Sequence, residues 1–274
     1  MAFKIGSGCK IHPTAVIDVE DGSIGNDSII CEFAVIEGNN IQIGREAYIG
    51  RFASIGGGSC FDQTAYLRAG DWFHMGTNSH INIARGVKIG DEFGFGIESK
   101  IFTHGAYLDS YSLGAPTQWG GVEIGSNVWM PNAWVNPSVT IGSNTVIAAK
   151  SLVNRSIPSG VLAGGIPVKV LIQDYLPKKL TSEEKLMLIN QIIKQIRSRP
   201  EIKHEKFEIS FNLEKNELFF SYQNKSTNFL LGKKIILGNA NFFSKIVKDQ
   251  LRRNGIRFPF SQAGDIWLKW DKAT

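Results

Sequence analysis

The chain has 274 residues, 43% of them hydrophobic and 20% charged, with 29 glycines and a formal net charge of +5. That is room for one or two ordinary globular domains. No run approaches the roughly 18 apolar residues of a membrane helix, and the opening MAFKIGSGCK lacks the apolar segment of a signal peptide, so no membrane span and a cytoplasmic location are expected. Cys9, Cys31 and Cys60 form an odd, scattered set without CxxC and are expected to be free thiols in a reducing compartment. The charge is uneven. Residues 1–174 carry 11 Lys+Arg against 15 Asp+Glu, whereas residues 175–274 carry 19 against 10. A basic C-terminal portion suits an anionic partner, whether nucleic acid, membrane or substrate, or simply a solvated Lys-rich surface; without a dense basic run or an RNA-binding motif, no nucleic-acid partner is expected.

A six-residue step dominates the first 170 residues. Ile11 and Ile17 begin it, then Ile24, Ile30 and Ile36, then Ile43, Ile49 and Ile55. Small residues recur in the fifth place: Ala15, Ser28, Ala34, Ala47 and Ala53. Residues 56–82 are less regular, although Leu67 and Phe73 keep the step, and the phase returns at Ile83, Ile89, Phe95 and Ile101. After FTHG, residues 105–121 read as a loop thrown out from one corner, with Tyr107, Tyr111 and Trp119 on it. The clearest stretch follows: Ile124, Met130, Val135, Ile141, Ile147 and Val153, six apart except for the five-residue step from Met130 to Val135. Neither a helix nor an isolated amphipathic strand has this period. Each hexad predicts one short strand and a corner, three predict a triangular coil, and the stacked aliphatics predict an inner apolar column. About eight coils of 18 residues are expected up to residue 171.

The period changes near Leu180. Thr181-Ser182-Glu183-Glu184 is a capping box opening a helix whose apolar face is Leu186, Ile189, Ile193 and Ile196, stopped by Pro200. Phe207, Ile209, Phe211 and Leu213 alternate as a strand, with Leu218–Tyr222 as its hairpin partner and another strand near Lys234–Leu237. Asn239 or Asn241 caps a second helix through Leu251, with Gly255 at its end. The expected organisation is therefore a β-helix over 1–174 and a small basic α/β domain over 175–274, whose role is packing, oligomerisation, or reading a substrate or partner.

The text VEIGSNVWM, VNPSVTIGSNTVIAAKSLV and AGGIPVKV, with FTHG upstream, resembles the hexapeptide-repeat acyltransferases that acetylate sugars in bacterial surface-polysaccharide pathways. The resemblance covers residues 11–171. It implies a left-handed parallel β-helix, a homotrimer with sites between neighbouring subunits, and acetyl-CoA as acyl donor. The acceptor it implies is a sugar or nucleotide-sugar.

His104 matches the family's catalytic His. An imidazole, with an unperturbed pKa near 6.5, suits removal of a proton from a sugar hydroxyl attacking a thioester. The family's oxyanion donors follow VWIG. Here Pro131 replaces the Gly and has no N–H, which leaves the Asn132 N–H as the candidate. For coenzyme A, the family's IGAGS becomes Ile147-Ala148-Ala149-Lys150-Ser151, so Ala149 and Lys150 are expected along the pantetheine arm. Arg155 and Lys169 are expected near the nucleotide phosphates. Asn78, Asn82, Asp109 and Trp119 are candidates for contacting the acceptor. Two alternatives stand beside O-acetylation: N-acylation of a nucleotide-linked amino sugar, and a non-enzymatic scaffold binding a partner. His74, His80 and His104 lack the spacing of a three-His zinc site, so no metal is expected.

Overall fold

The computed structural model describes residues 3–271. The chain divides into two compact units, the first ending at Lys178 and the second beginning at Lys179. The first unit thus runs a few residues past the expected end of the β-helix. The Tyr175 and Leu176 N–H groups both donate to the Gly160 carbonyl, at 2.6 and 3.2 Å, and tie the exit segment to the last coil.

The first unit is a parallel β-helix. Its strands fall into a twelve-strand and a nine-strand sheet, and each strand pairs with the strands one coil before and after it. The register follows the hexads. Ile36 sits opposite Ile55, Ile55 opposite Ile81, Ile81 opposite Ile101, Ile101 opposite Val135 and Val135 opposite Val153. All of these are buried, as are Phe73, Phe93 and Phe95. Phe93 stacks between Phe73 and Phe95 at centroid distances of 5.8 and 5.6 Å, filling the irregular middle coils with rings. Ile11 stays 37% exposed because it lies in the first coil and has a rung on one side only among the described residues.

The fifth-place residues sit where the triangle narrows. Ala34, Ala47 and Ala53 are buried, and Ser28 uses its hydroxyl there to donate to the Gly25 carbonyl at 2.7 Å and to accept from the Ala47 N–H at 3.1 Å. In the early coils one corner is not a turn. The nine-residue strands Val16–Ile24 and Val35–Ile43 run across it in parallel, and Gly22 and Gly38 take the bend at φ +132° and +144°. At the same corner of the middle coils the chain is longer, and the 105–121 loop issues there between the strands at Ile101 and Val122.

The second unit has α1 (Ser182–Ser198) and a four-strand antiparallel meander, Glu208–Asn212, Glu217–Tyr222, Lys225–Leu230 and Ile235–Gly238. It ends in α2 (Phe242–Arg253) and a hairpin, Phe260–Ala263 with Ile266–Lys269. Thr181 and Asn241 cap the helices, each with a reciprocal bond to the third helical residue. Ile189, Ile192, Ile196, Leu218, Phe220, Phe229, Val247 and Leu251 make a separate core. Among the described residues no helix is long and apolar enough to cross a membrane.

Candidate active site

His104 stands where the chain leaves the strand Lys100–Ile101 and enters the long loop. The loop closes on itself as a short antiparallel pair, His104–Gly105 with Gln118–Trp119. This pairing stacks the Trp119 indole on the imidazole, with centroids 4.8 Å apart and planes 15° from parallel. The Arg85 guanidinium lies over the same indole at 4.4 Å. Arg85 is held in place by the Ala84 carbonyl at 2.8 Å and the Thr64 hydroxyl at 3.0 Å.

Asn82, one coil earlier, orients the imidazole. Its side chain is buried, and both ends of the amide are assigned by their neighbours. Nδ2 donates to the carbonyls of Gly56 and Gly58, each at 3.3 Å. Oδ1 therefore faces the donors: the Ala84 N–H at 3.3 Å, the Thr103 hydroxyl and His104 Nδ1 at 3.0 Å. An amide oxygen only accepts, so Nδ1 carries a proton, and in the neutral tautomer the lone pair is on Nε2. Asn82 was expected to touch an acceptor; the structure commits its polar atoms to the corner and to His104. The turn Gly57–Gly58 leaves space beside the ring, since a Cβ at Gly58 would lie 4.0 Å from His104 Cε1 and Nε2.

The outward positions of the strand before this corner form a ladder. Ser54, His80, Lys100, Trp134 and Leu152 are in register on successive coils. His80 Nδ1 bonds the Ser54 hydroxyl at 2.8 Å. Burial, and then the Lys100 ammonium, hold the His80 imidazole below the ordinary histidine range, so it is neutral at neutral pH.

At the other end of this face is a corner column whose residues take left-handed backbone: Phe33, Phe52, Asn78, Glu98 and Lys150, with φ between 54° and 58°. In each regular coil the N–H of that residue donates to the coil below: Phe52 to Glu32 at 3.1 Å, Asn78 to Arg51 at 3.0 Å, Glu98 to Thr77 at 3.0 Å. The coil with the five-residue step lacks this residue. Its place in the ladder is taken by the Asn132 side chain, whose Nδ2 donates to the Ile97 carbonyl at 2.9 Å. The Asn132 carbonyl then accepts from the Lys150 N–H at 2.6 Å and the ladder continues. Pro131 breaks the neighbouring ladder. Gly96 donates to Met130 at 2.7 Å and Ala148 to Ala163 at 2.8 Å, but the Pro131 nitrogen has no proton to offer at the rung between them.

A groove of about 650 Å³ opens along this column, lined by Asn78, Glu98, Lys100, Asn132, Trp134, Lys150, Ser151, Leu152 and Ile166. It brings together Asn132 and Lys150, both expected at the donor, with Asn78, expected at the acceptor; Ala149 is the exposed neighbour of Lys150 on the corner. Arg155 and Lys169 are exposed away from the lining, Lys169 on the last strand opposite Gly164. Asp109 lies on the projecting loop and accepts from the Tyr111 and Ser112 N–H groups at 2.9 and 2.8 Å, so it shapes that turn. A second depression, of about 610 Å³, runs past Arg68, Lys88 and Glu123, holds none of the predicted residues and is bridged by a Lys88–Glu123 ion pair at 2.9 Å.

Thr103 and Arg85 were not singled out in the sequence. The signal for Thr103 was positional: Asn82 follows the His80–Ile81 strand and Thr103 follows the paired Lys100–Ile101 strand, so both lie at one corner of successive coils and their side chains meet.

No protein-family model matches the chain. Among curated proteins it is 47% identical over 51 residues to the galactoside O-acetyltransferase of Escherichia coli, covering 18% of this chain and 25% of that protein. It is 28% identical over 133 residues to the putative lipopolysaccharide biosynthesis O-acetyl transferase WbbJ of Escherichia coli, covering 44% of this chain and 61% of that protein. Among solved structures it is similar to a hexapeptide-repeat-containing acetyltransferase of Vibrio cholerae complexed with acetyl coenzyme A. The identity there is 27%, the TM-score 0.38, and the match covers 46% of this chain and 69% of that one. The chain thus spans less than two thirds of the length of the curated relatives it matches. Over part of its length the chain is thus similar to O-acetyltransferases, and its coiled parallel sheet is the fold expected from its repeats.

Proposed function

We propose that the first unit transfers an acetyl group from acetyl-CoA to a sugar hydroxyl, in bacterial surface-polysaccharide assembly, as a cytoplasmic homotrimer. The observation that carries the chemistry is the Asn82–His104 bond. In the neutral ring it leaves the Nε2 lone pair as the base, beside the Gly57–Gly58 turn. Nε2 takes the hydroxyl proton as the oxygen attacks the thioester carbon. The Asn132 N–H meets the oxyanion. Collapse breaks the C–S bond, and the leaving thiolate takes the proton back from the imidazolium.

The placement of the two groups supports the trimer. His104 follows Lys100 and Asn132 precedes Trp134, and Lys100 and Trp134 are paired, so the base and the Asn132 corner sit at opposite ends of one face of the coil. A neighbouring copy bringing its Asn132 corner to this His104 completes the site, and a closed threefold ring does so for all three chains.

Calorimetric titration of acetyl-CoA tests the reading. Binding at about micromolar affinity, near one per chain, is expected. No binding by protein with an intact β-sheet circular dichroism spectrum rejects it in favour of a scaffold role. Thiol release with hydroxyl-only against amino-sugar acceptors then separates O- from N-acylation.

A further inference from the structure

We propose that the shortened Pro131–Asn132 coil forms an acyl-chain notch, and that this protein accepts acyl groups longer than acetyl. The inference rests on the acyl-CoA reading above and specifies its donor.

A regular corner would place a left-handed residue between Glu98 and Lys150, its side chain projecting from the column as those of Phe33 and Phe52 do. That residue is missing. Asn132 replaces its backbone donor but not its bulk, because the side chain turns to the Ile97 carbonyl. Glu98 and Lys150 are consequently two rungs apart, roughly 10 Å along the coil axis, with an opening between them. The opening is part of the 650 Å³ groove, and its apolar lining is Trp134, Leu152 and Ile166. Trp134 is 48% and Ile166 74% exposed, surface that a bound aliphatic chain would cover. An acetyl methyl is too small to use it. The thioester oxygen on the Asn132 N–H fixes the start of the acyl chain at the rim of the notch, and the chain runs from there against Trp134. The transfer step keeps the balance written above; only the acyl substituent changes.

The test is calorimetric titration of the full chain with coenzyme A, acetyl-CoA, butyryl-CoA and hexanoyl-CoA, which requires no knowledge of the acceptor. Affinity is expected to rise by about fourfold per buried methylene, so butyryl-CoA binds at least tenfold more tightly than acetyl-CoA. Glu98→Phe fills the notch from the adjacent coil without altering the backbone, since Phe33 and Phe52 already occupy equivalent left-handed positions. It should abolish the chain-length increment while coenzyme A still binds. If that variant fails to fold, Trp134→Ser removes the wall and should flatten the same series. Equal affinity for all four ligands, or a slope unchanged in the variants, overturns the notch and leaves the acyltransferase reading standing. Failure of all four to bind overturns both.

Discussion

His104 Nδ1 donates to Asn82 Oδ1 across 3.0 Å, and Asn82 in turn is locked by the carbonyls of Gly56 and Gly58. The neutral imidazole is thus held in the tautomer whose proton is on Nδ1 and whose lone pair is on Nε2. Asn82→Ala should let the ring choose its tautomer and rotamer. We expect kcat to fall by roughly tenfold to a hundredfold, with little change in KM for acetyl-CoA, a fraction of the 10²–10⁴ that a general base contributes. Thr103→Val should cost less, because the Asn82 amide keeps its other partners. Steady-state kinetics of thiol release would show both; a KM effect without a kcat effect would place Asn82 at the acceptor instead.

The Asn132 side chain serves as a backbone donor, closing the ladder at Ile97. Asn132→Ala keeps the main-chain N–H but orphans that carbonyl. A loss of about 0.5–1 kcal/mol is expected, since the bond is solvent-exposed and water can take the carbonyl. Asn132→Asp should cost at least as much, since a carboxylate turns an acceptor toward an acceptor. Urea unfolding of the full chain, following the β-sheet signal, measures this. Wild-type stability in either variant would show that the corner does not depend on the bond.

Phe93 lies in the middle of the aromatic stack and is 1% exposed. Phe93→Ala should destabilise the first unit by about 3–5 kcal/mol, combining lost transfer energy with a cavity that neighbouring coils are too regular to close. Phe93→Leu should recover much of that. A thermal melt that separates the two units would register the loss in the first transition only.

Asp249 anchors α2. Burial would raise its pKa, but bonds from Arg252, Arg253 and Arg199, at 2.7, 2.8 and 3.0 Å, outweigh burial and bring it to about 2. A carboxylate depressed in the folded state contributes stability above its unfolded pKa of about 3.9 and loses it as pH falls toward 2. After allowance for solvent screening, that contribution is about 1–2 kcal/mol. The second unit should therefore weaken between about pH 4 and pH 2. Asp249→Asn should remove that pH dependence and be less stable at pH 7. Chemical unfolding at a series of pH values checks both, and a flat wild-type profile over that window would contradict the network.

The six-residue step made the β-helix legible because burial allows one residue per rung, and the inward residues are the ones that repeat. The projecting loop and the short coil were legible as interruptions of that step. Both helices of the second unit were legible from their caps, Thr181 and Asn241. The Lys225–Leu230 strand and the final hairpin were not, since KSTNFL and FSQA carry too few apolar residues to show alternation. The site was half legible. His104 stood out, but Asn82 as its partner did not, because the two are 22 residues apart in a region where coil lengths differ and spacing alone does not say which residues share a corner. Nor does the text PNA reveal that an amide side chain replaces a missing backbone group; that requires the column of carbonyls above and below it.

The most direct measurement is the rate of coenzyme A release from acetyl-CoA, with a hydroxyl-bearing sugar acceptor and across pH, for wild type and His104→Ala. A general base held by Asn82 predicts a loss of about 10²–10⁴ in kcat. Full turnover by His104→Ala at every pH would contradict the account.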